Sequence, residues 1–297
     1  MARRGLPQAA QRHTRAARGR PGGASLSRRT LLQALAVAGA GVATGSAGYG
    51  FLYERHRLEI TRTHVPVSGL PDALDGLRVA LVTDTHFSST VPAEDIERAV
   101  RATLDAAPDL IVLGGDYVTW GDRRYVGGAA ELLAPLNAPH GVFAVLGNHD
   151  DDRDMPAALA ARGFVVLKDE RTQIVIRGER LEIAGIRFWT RRVDRIAKVL
   201  AGATATTVLL AHDPRRLKEA ADLDVSLVLS GHTHGGQIVL PGLGAVAARP
   251  FPVVAGLGTR ENTSIYVSRG VGTVYVPIRL NCPPEVAILT LKRQSDF

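Results

Sequence analysis

From Leu58 onward, short runs of aliphatic and β-branched residues alternate with longer segments whose apolar positions recur at helical spacing. The short runs predict strands at Leu58–Val67, Arg78–Thr83, Leu110–Leu113, Gly141–Leu146, Phe164–Lys168, Gln173–Arg177, Leu181–Gly185, Thr207–Leu210, Leu227–Ser230, Gln237–Leu240, Ser264–Ser268 and Val286–Leu291. The longer segments predict helices over Ala93–Ala107, Tyr125–Leu136, Arg153–Arg162, Arg191–Leu200 and Arg215–Ala221. Pro92 and Pro214 stand near helix starts, where a missing N–H leaves no bond unmade. Pro108 and Gly163 follow helix ends. The alternation in the first half predicts a parallel sheet with right-handed crossovers. The second half is strand-rich, with few helices after Ala221, and predicts a second or mixed sheet instead of a plain nucleotide-binding fold.

Ahead of this body, residues 1–30 carry eight arginines and no acid. Ser27-Arg28-Arg29-Thr30-Leu31-Leu32 then leads into an uncharged, Ala- and Gly-rich stretch from Leu31 to Tyr53. A basic region, paired arginines and a weakly apolar run, in that order, resemble a twin-arginine export signal. The same stretch is also long enough to serve as one membrane anchor. We therefore expect residues 1–53 to be a signal or anchor and residues 54–297 the functional domain. Export would be by the twin-arginine machinery, to a location outside the cytoplasm or anchored at its membrane.

Charge then changes meaning. The chain of 297 residues has formal net charge +7, but without the eight leader arginines 28 basic residues face 29 acidic ones, a net of −1. The body lacks the electrostatic footprint of a nucleic-acid binder. Its 45% hydrophobic content excludes a disordered tail protein. The single cysteine, Cys282, excludes an internal disulfide and any multi-cysteine metal site.

Candidate chemistry appears as polar clusters directly after apolar strands. Val79–Val82 runs into Thr83-Asp84-Thr85-His86, and Leu110–Leu113 into Gly114-Gly115-Asp116. Val142–Leu146 runs into Gly147-Asn148-His149-Asp150, Val208–Leu210 into Ala211-His212-Asp213, and Leu227–Leu229 into Ser230-Gly231-His232-Thr233-His234. In an α/β sheet, ligands bind at the carboxyl ends of the strands, so these ends should converge on one site. Asp84 and His86 lie two apart and in extended backbone project to one side, as do His232 and His234. With Asp116, Asn148 and His212 they make four imidazoles, two carboxylates and one amide oxygen, a set that suits Mn, Fe or Zn. Seven ligands are too many for one tetrahedral ion and fit two ions sharing a carboxylate, a pair able to act together on a phosphoryl group.

Asp84-x-His86, Gly115-Asp116, Gly147-Asn148-His149-Asp150, His212 and Gly231-His232-x-His234 together resemble the calcineurin-like metallophosphoesterase superfamily, in its motif order, from about Arg78 to the C-terminus. His232 through Ile238, Tyr266 through Gly270, and Pro277-Ile278-Arg279 through Pro283-Pro284-Glu285 are similar to a subgroup of bacterial exported or membrane-associated phosphoesterases, the YaeI- and YkuE-like proteins. The resemblance implies a four-layer α/β/β/α sandwich of two mixed sheets. It also implies that Asp84, His86 and His234 hold one divalent metal (Mn, Zn or Fe), that Asn148, His212 and His232 hold a second, and that Asp116 bridges. A hydroxide bridging the metals would attack a phosphodiester or pyrophosphate. His149 would protonate the leaving oxygen, and Asp150 would orient His149 through a hydrogen bond. The substrate would be a phosphorylated small molecule, a lipid or another cell-envelope molecule near a membrane surface.

Other residues keep two readings. Tyr117 and Trp120 fit either the core or the wall of a substrate cleft. Arg269 and Arg279 fit structural ion pairs or phosphate recognition. Asn148 alone would suit a helix cap, and Asp213 the N-cap before Pro214. Cys282 reads as a packed thiol. His13, His56, His64 and His140 match no motif and read as solvated or locally packed. Two alternative functions remain. A pyrophosphatase of the UDP-2,3-diacylglucosamine type shares the motifs but needs a cytosolic substrate, which an export leader argues against. A non-catalytic envelope-binding module that keeps a metal centre would have no use for His149.

Overall fold

The computed structural model describes Met1 and residues 27–294; the leader arginines from Arg3 to Arg20 and His13 lie outside the described residues. The chain divides into two compact units, Met1–Ala43 and Thr44–Phe297. Helix α1 (Arg28–Leu52) crosses that boundary and is apolar and long enough to span a membrane. The last residues of α1, 44–52, lie within the second unit and pack there. The N–H of Arg279 donates to the Gly50 carbonyl at 3.3 Å, and a Cβ at Gly50 would collide with the Arg279 carbonyl and the Ile278 side chain.

Two six-stranded sheets form the second unit. The first contains β1 (Glu59–Val67), β12 (Glu285–Arg293), β2 (Arg78–Val82), β3 (Leu110–Leu113), β4 (Val142–Ala144) and β5 (Val165–Val166), in that spatial order. The second contains β10 (Gly256–Arg260), β11 (Thr263–Val267), β9 (Leu227–Ser230), β8 (Thr207–Leu210), β7 (Glu179–Gly185) and β6 (Glu170–Ile176). β12 runs antiparallel to β2, and β10 and β6 run antiparallel to their neighbours; the other pairs are parallel. Both sheets are thus mixed, as the second half of the sequence implied.

The layering follows from strand alternation. In β2, Val79 and Leu81 face the second sheet, where they join Leu181, Ile183, Val208 and Leu229. Ala80 and Val82 face the other way, onto α2 (Ala93–Asp105), α3 (Val126–Leu133) and α4 (Asp154–Ala160). On the far side, Leu209, Val228 and Ile265 meet α5 (Val193–Leu200) and α6 (Leu217–Ala221) through Ile196, Leu217 and Ala220. The result is helix, sheet, sheet, helix. Helix α2 shows why such segments fold. Pro92 precedes it, Glu94 and Asp95 face its positive N-terminal end, and Ile96, Ala99, Val100 and Thr103 form one buried stripe.

The structure departs from the sequence reading in two strands. Gln237–Leu240 is not a strand. Gln237 has φ +57°, which breaks the extended backbone, and Ile238 makes a single bridge to Leu280. β10 was not expected because its Gly- and Thr-rich sequence does not alternate; it is a largely exposed edge strand held by β11.

Candidate metal centre

Every residue of the expected site follows the carboxyl end of a strand. β2 delivers Asp84 and His86, β3 delivers Asp116, and β4 delivers Asn148 and His149 from the first sheet; β8 delivers His212, and β9 delivers His232 and His234, from the second. The chain must leave each strand sharply. Asp84, His86, Asp116, His232 and His234 accordingly have φ of +54°, +47°, +56°, +71° and +51°. Left-handed backbone at non-glycine residues costs about 1–3 kcal/mol each and persists where surroundings enforce it. Here the enforcement is close backbone approach: a Cβ at Gly147 would overlap the Asp116 carboxylate, and one at Gly231 would overlap Asp84 and Thr83.

Two groups of side chains gather here: Asp84, His86 and His234, and Asp116, His212 and His232, each with its donor atoms within 4.8 Å of one another. Asp116 Oδ2 lies 3.6 Å from His86 Nε2 and 3.1 Å from His212 Nε2, so it stands between the groups. Its other oxygen accepts the His149 backbone N–H at 2.8 Å. Asp84 Oδ1 lies 3.5 Å from His234 Nε2, and the Asp84 carboxylate accepts the His232 backbone N–H and, at 2.6 Å, the Thr83 hydroxyl. His212 Nδ1 donates to the Gly114 carbonyl at 2.8 Å, which turns the lone pair of Nε2 into the cluster. Phe188 and Phe251 pack on His232, with ring centroids 5.2 and 5.3 Å away.

The side chains fit divalent ions. Asn148 Oδ1, His212 Nε2 and His234 Nδ1 are buried without a hydrogen-bond partner among the described residues. His212 Nε2 stands 3.1 Å from Asp116 Oδ2, and that carboxylate is the nearest charge to it. Orphaned buried acceptors beside two carboxylates are costly unless a cation satisfies them. Burial keeps three of the four imidazoles neutral, and His212 is the exception, holding a proton that a bound cation would displace. Burial pushes Asp84 up to about 6. Burial holds His86 down to about 3, His232 to about 4, and His234 well below the ordinary imidazole value, so these imidazoles present lone pairs. For His212, burial is outweighed by the Asp116 and Asp84 carboxylates, which raise it to about 10. Asp116 is buried too, yet His212 and His86 hold it below the usual carboxylate range.

His149 sits at the rim. Its ring lies edge-on to His86 at 5.0 Å, and its Nδ1 accepts the Trp120 backbone N–H at 3.0 Å. Asp150 does not play the expected part. It makes no hydrogen bond to His149; instead its carboxylate accepts the N–H groups of Asp116 (2.8 Å), Tyr117 (2.7 Å) and Gly147 (2.9 Å). Its short side chain is consumed by tying two loops together, and the Trp120 amide orients the imidazole. Burial pushes Asp150 up to about 7. The sequence offers no signal for a backbone partner such as Trp120.

The residues with two readings now separate. Tyr117 is core, its hydroxyl donating to the Leu113 and Val145 carbonyls, whereas Trp120 is 66% exposed and its ring lies 4.5 Å from that of His149. Arg269 pairs with Glu59 and Glu285. Arg279 forms no ion pair among the described residues; fully buried, it donates to the carbonyls of Arg269, Gly270, Gly272 and Cys282 and braces the loop beside Asp84. Asp213 caps the turn at Pro214 by accepting from Arg215 N–H. Asn148 is no helix cap: Asp151 Oδ1 accepts the N–H groups at the start of α4. Cys282 is buried, its thiol facing the His234 carbonyl at 3.2 Å. His56 is packed against Asp95 at 2.7 Å.

A family model described as calcineurin-like phosphoesterase matches residues 77–236. The chain is 33% identical to an uncharacterized metallophosphoesterase, YkuE, of Bacillus subtilis, over 90% of this chain and 98% of that one. It is also 33% identical to the phosphodiesterase YaeI of Escherichia coli, over 90% of this chain and 99% of that one. A Danio rerio transmembrane protein with metallophosphoesterase domain is 32% identical, over 83% of this chain and 60% of that one. Among solved structures, a dimetal phosphatase from Danio rerio aligns with 66% of this chain and 88% of that one at 11% identity and a TM-score of 0.40.

Proposed function

Because the chain belongs to the calcineurin-like phosphoesterase family, we propose that it hydrolyses a phosphodiester or pyrophosphate with two divalent transition-metal ions, at or beyond a membrane. The observation that carries this reading is the pair of Asp/His groups with Asp116 Oδ2 between them and buried lone pairs left unsatisfied. Asp84, His86 and His234 would hold one ion; Asn148, His212 and His232 the other; Asp116 would be shared. When bound, the ions supply charge to the phosphoryl oxygens and acidify a water nucleophile. The chain's own residues do the rest. His149 accepts the Trp120 N–H at Nδ1, which aims Nε2 away from that loop; as the imidazolium, with Nδ1 protonated and the Trp120 contact opened, it would give its Nε2 proton to the departing ester oxygen and return to the neutral ring. Burial lowers the His149 pKa, which makes it a ready donor once protonated. Asp150 acts by position, fixing the loops that carry Asp116 and His149.

The test is hydrolysis by the full chain after metal stripping and restoration with Mn²⁺ or Zn²⁺, using matched chromogenic diester and monoester substrates. Turnover restored by metal, with the diester preferred, is the expected result. A folded protein that binds two ions and hydrolyses neither substrate would overturn it.

For location, we propose that α1 serves as signal or anchor and that Arg28-Arg29 directs it to twin-arginine export. Replacing both with lysine should leave the folded protein in the cytosol on fractionation. Unchanged distribution would remove the twin-arginine assignment.

A further inference from the structure

Two cavities flank the centre, and one wall divides them. The first, ≈ 550 Å³, is lined by Ser88, Ser89, Thr90, Thr119, Asp122 and Arg124. The second, ≈ 570 Å³, begins at His232 and His234 and continues along Ile238, Leu240, Val246 and Phe251. Val274, Tyr275 and Val276 line both. One side thus offers hydroxyls and charged groups, the other an apolar channel, and both open beside the residues assigned to the metals: Thr119 Oγ1 lies 3.3 Å from His86 Nδ1, and the second cavity touches two of the assigned ligands.

The dividing wall is built with strain. Trp120 and Tyr275 have φ of +55° and +62°, are 66% and 78% exposed, and meet edge to face at 5.3 Å. Bulky residues seldom adopt left-handed backbone, and exposed aromatic rings give no core packing in return, so the placement points to a function. The backbone of the wall is fixed as well. The Gln237 amide donates to the carbonyls of Val274 (3.1 Å) and Val276 (2.9 Å) and accepts the Val274 N–H at 2.9 Å. A few residues on, the same loop packs against the last turn of α1 through Arg279 and Gly50.

We infer that the substrate straddles this wall: an amphiphilic phosphodiester whose phosphate sits at the centre, with a hydroxyl-rich glycerol or sugar arm in the first cavity and an apolar chain in the second. The inference rests on the phosphoesterase reading and names its substrate class. A purely polar diester would leave the apolar channel wet, and a purely apolar one would strip water from the hydroxyls of the first cavity without replacing their bonds.

The test uses the full metal-loaded chain in detergent and four diesters followed by ³¹P NMR: glycerol hexyl phosphate, glycerol methyl phosphate, hexyl methyl phosphate and glucosyl hexyl phosphate. Burying a methylene contributes about fourfold in binding, so partial burial of the hexyl chain should give a kcat/KM at least about tenfold above the methyl ester. Removing the hydroxylated arm should cost a similar factor, and the glucosyl substrate tells a sugar from a glycerol arm. Val246→Asp, at a half-exposed position, should bring the hexyl-to-methyl ratio towards one; Val276→Asp is a second variant should the first not fold. Calorimetric titration with hexyl and methyl phosphate should show the same preference without turnover. Equal rates for hexyl and methyl esters, with metal-dependent hydrolysis intact, would overturn the straddling substrate and leave the phosphoesterase reading standing. Hydrolysis of none of the diesters, with equal binding of both monoesters, would overturn both.

Discussion

His149 and His212 have the same ring and opposite surroundings. His149 is held through Nδ1 by a backbone N–H, at the rim, next to the exposed Trp120. A residue that delivers a proton contributes about 10²–10⁴ in rate without holding the ions. His149→Ala should therefore lower kcat by at least about a hundredfold, while elemental analysis finds the metal content of the parent; parallel loss of metal would place His149 among the ligands. His212 is buried between carboxylates and raised to about 10. In the metal-free chain its folded-state pKa exceeds the unfolded value of about 6.5. The stability it contributes is present below that value and is lost as pH rises towards 10. Asp84 and Asp150, raised to about 6 and about 7, change stability with pH mainly below that range: each lowers it progressively between its unfolded and folded pKa, and the penalty then stays constant at higher pH. From pH 7 to 9 in chelator, urea midpoints should fall, with a slope from this one proton of up to about 1.4 kcal/mol per pH unit. His212→Gln should flatten that slope.

Among the elements, the loops after β3 and β4 behave as one piece. Asp150 supplies the join by accepting amides from both, and Gly147 permits their contact. Removing a buried acceptor leaves those N–H groups unpaired, at about 1–3 kcal/mol for the first and more for the set. Asp150→Ala should thus destabilise the domain by about 3 kcal/mol or more and also reduce bound metal, since Asp116 loses its placement. Denaturant melts and elemental analysis decide the matter. Normal stability and metal content with lost turnover would restore the expected link to His149. The loop from Gly270 to Cys282 is a second such piece. Arg279 braces it from inside, while the N–H of Gly272 donates to the Asp84 carbonyl at 2.7 Å.

At the scale of the whole molecule, neither sheet owns the centre. The first sheet brings Asp84, His86, Asp116 and Asn148, the second His212, His232 and His234, so bound ions would tie the two halves of the sandwich together. A ligand that binds only the folded state stabilises it by about 4 kcal/mol at a thousand times its dissociation constant, which for a domain of this size raises the melting midpoint by about ten degrees. Chelation should lower the midpoint by that order and Mn²⁺ or Zn²⁺ should restore it, as read by calorimetry. An unchanged midpoint would mean that the cluster holds no ion.

The alternating apolar strands and the polar residues at their ends determined most of the strands, the mixed character of the second half and the strand-end position of the seven candidate residues, because strand periodicity and strand-end placement are local properties written in consecutive residues; the four layers were implied by the family resemblance. Tertiary structure alone decided what each polar side chain faces. Asp150 stands beside His149 in sequence but bonds the amides of a loop more than thirty positions away, and Trp120, with no charge to mark it, supplies the N–H that orients the imidazole. Arg279 has the composition of a phosphate ligand and became an internal brace because the loop closes around it. Hydrogen-bond partners and the wall between two cavities depend on how distant segments meet, and that is set by packing of the whole chain.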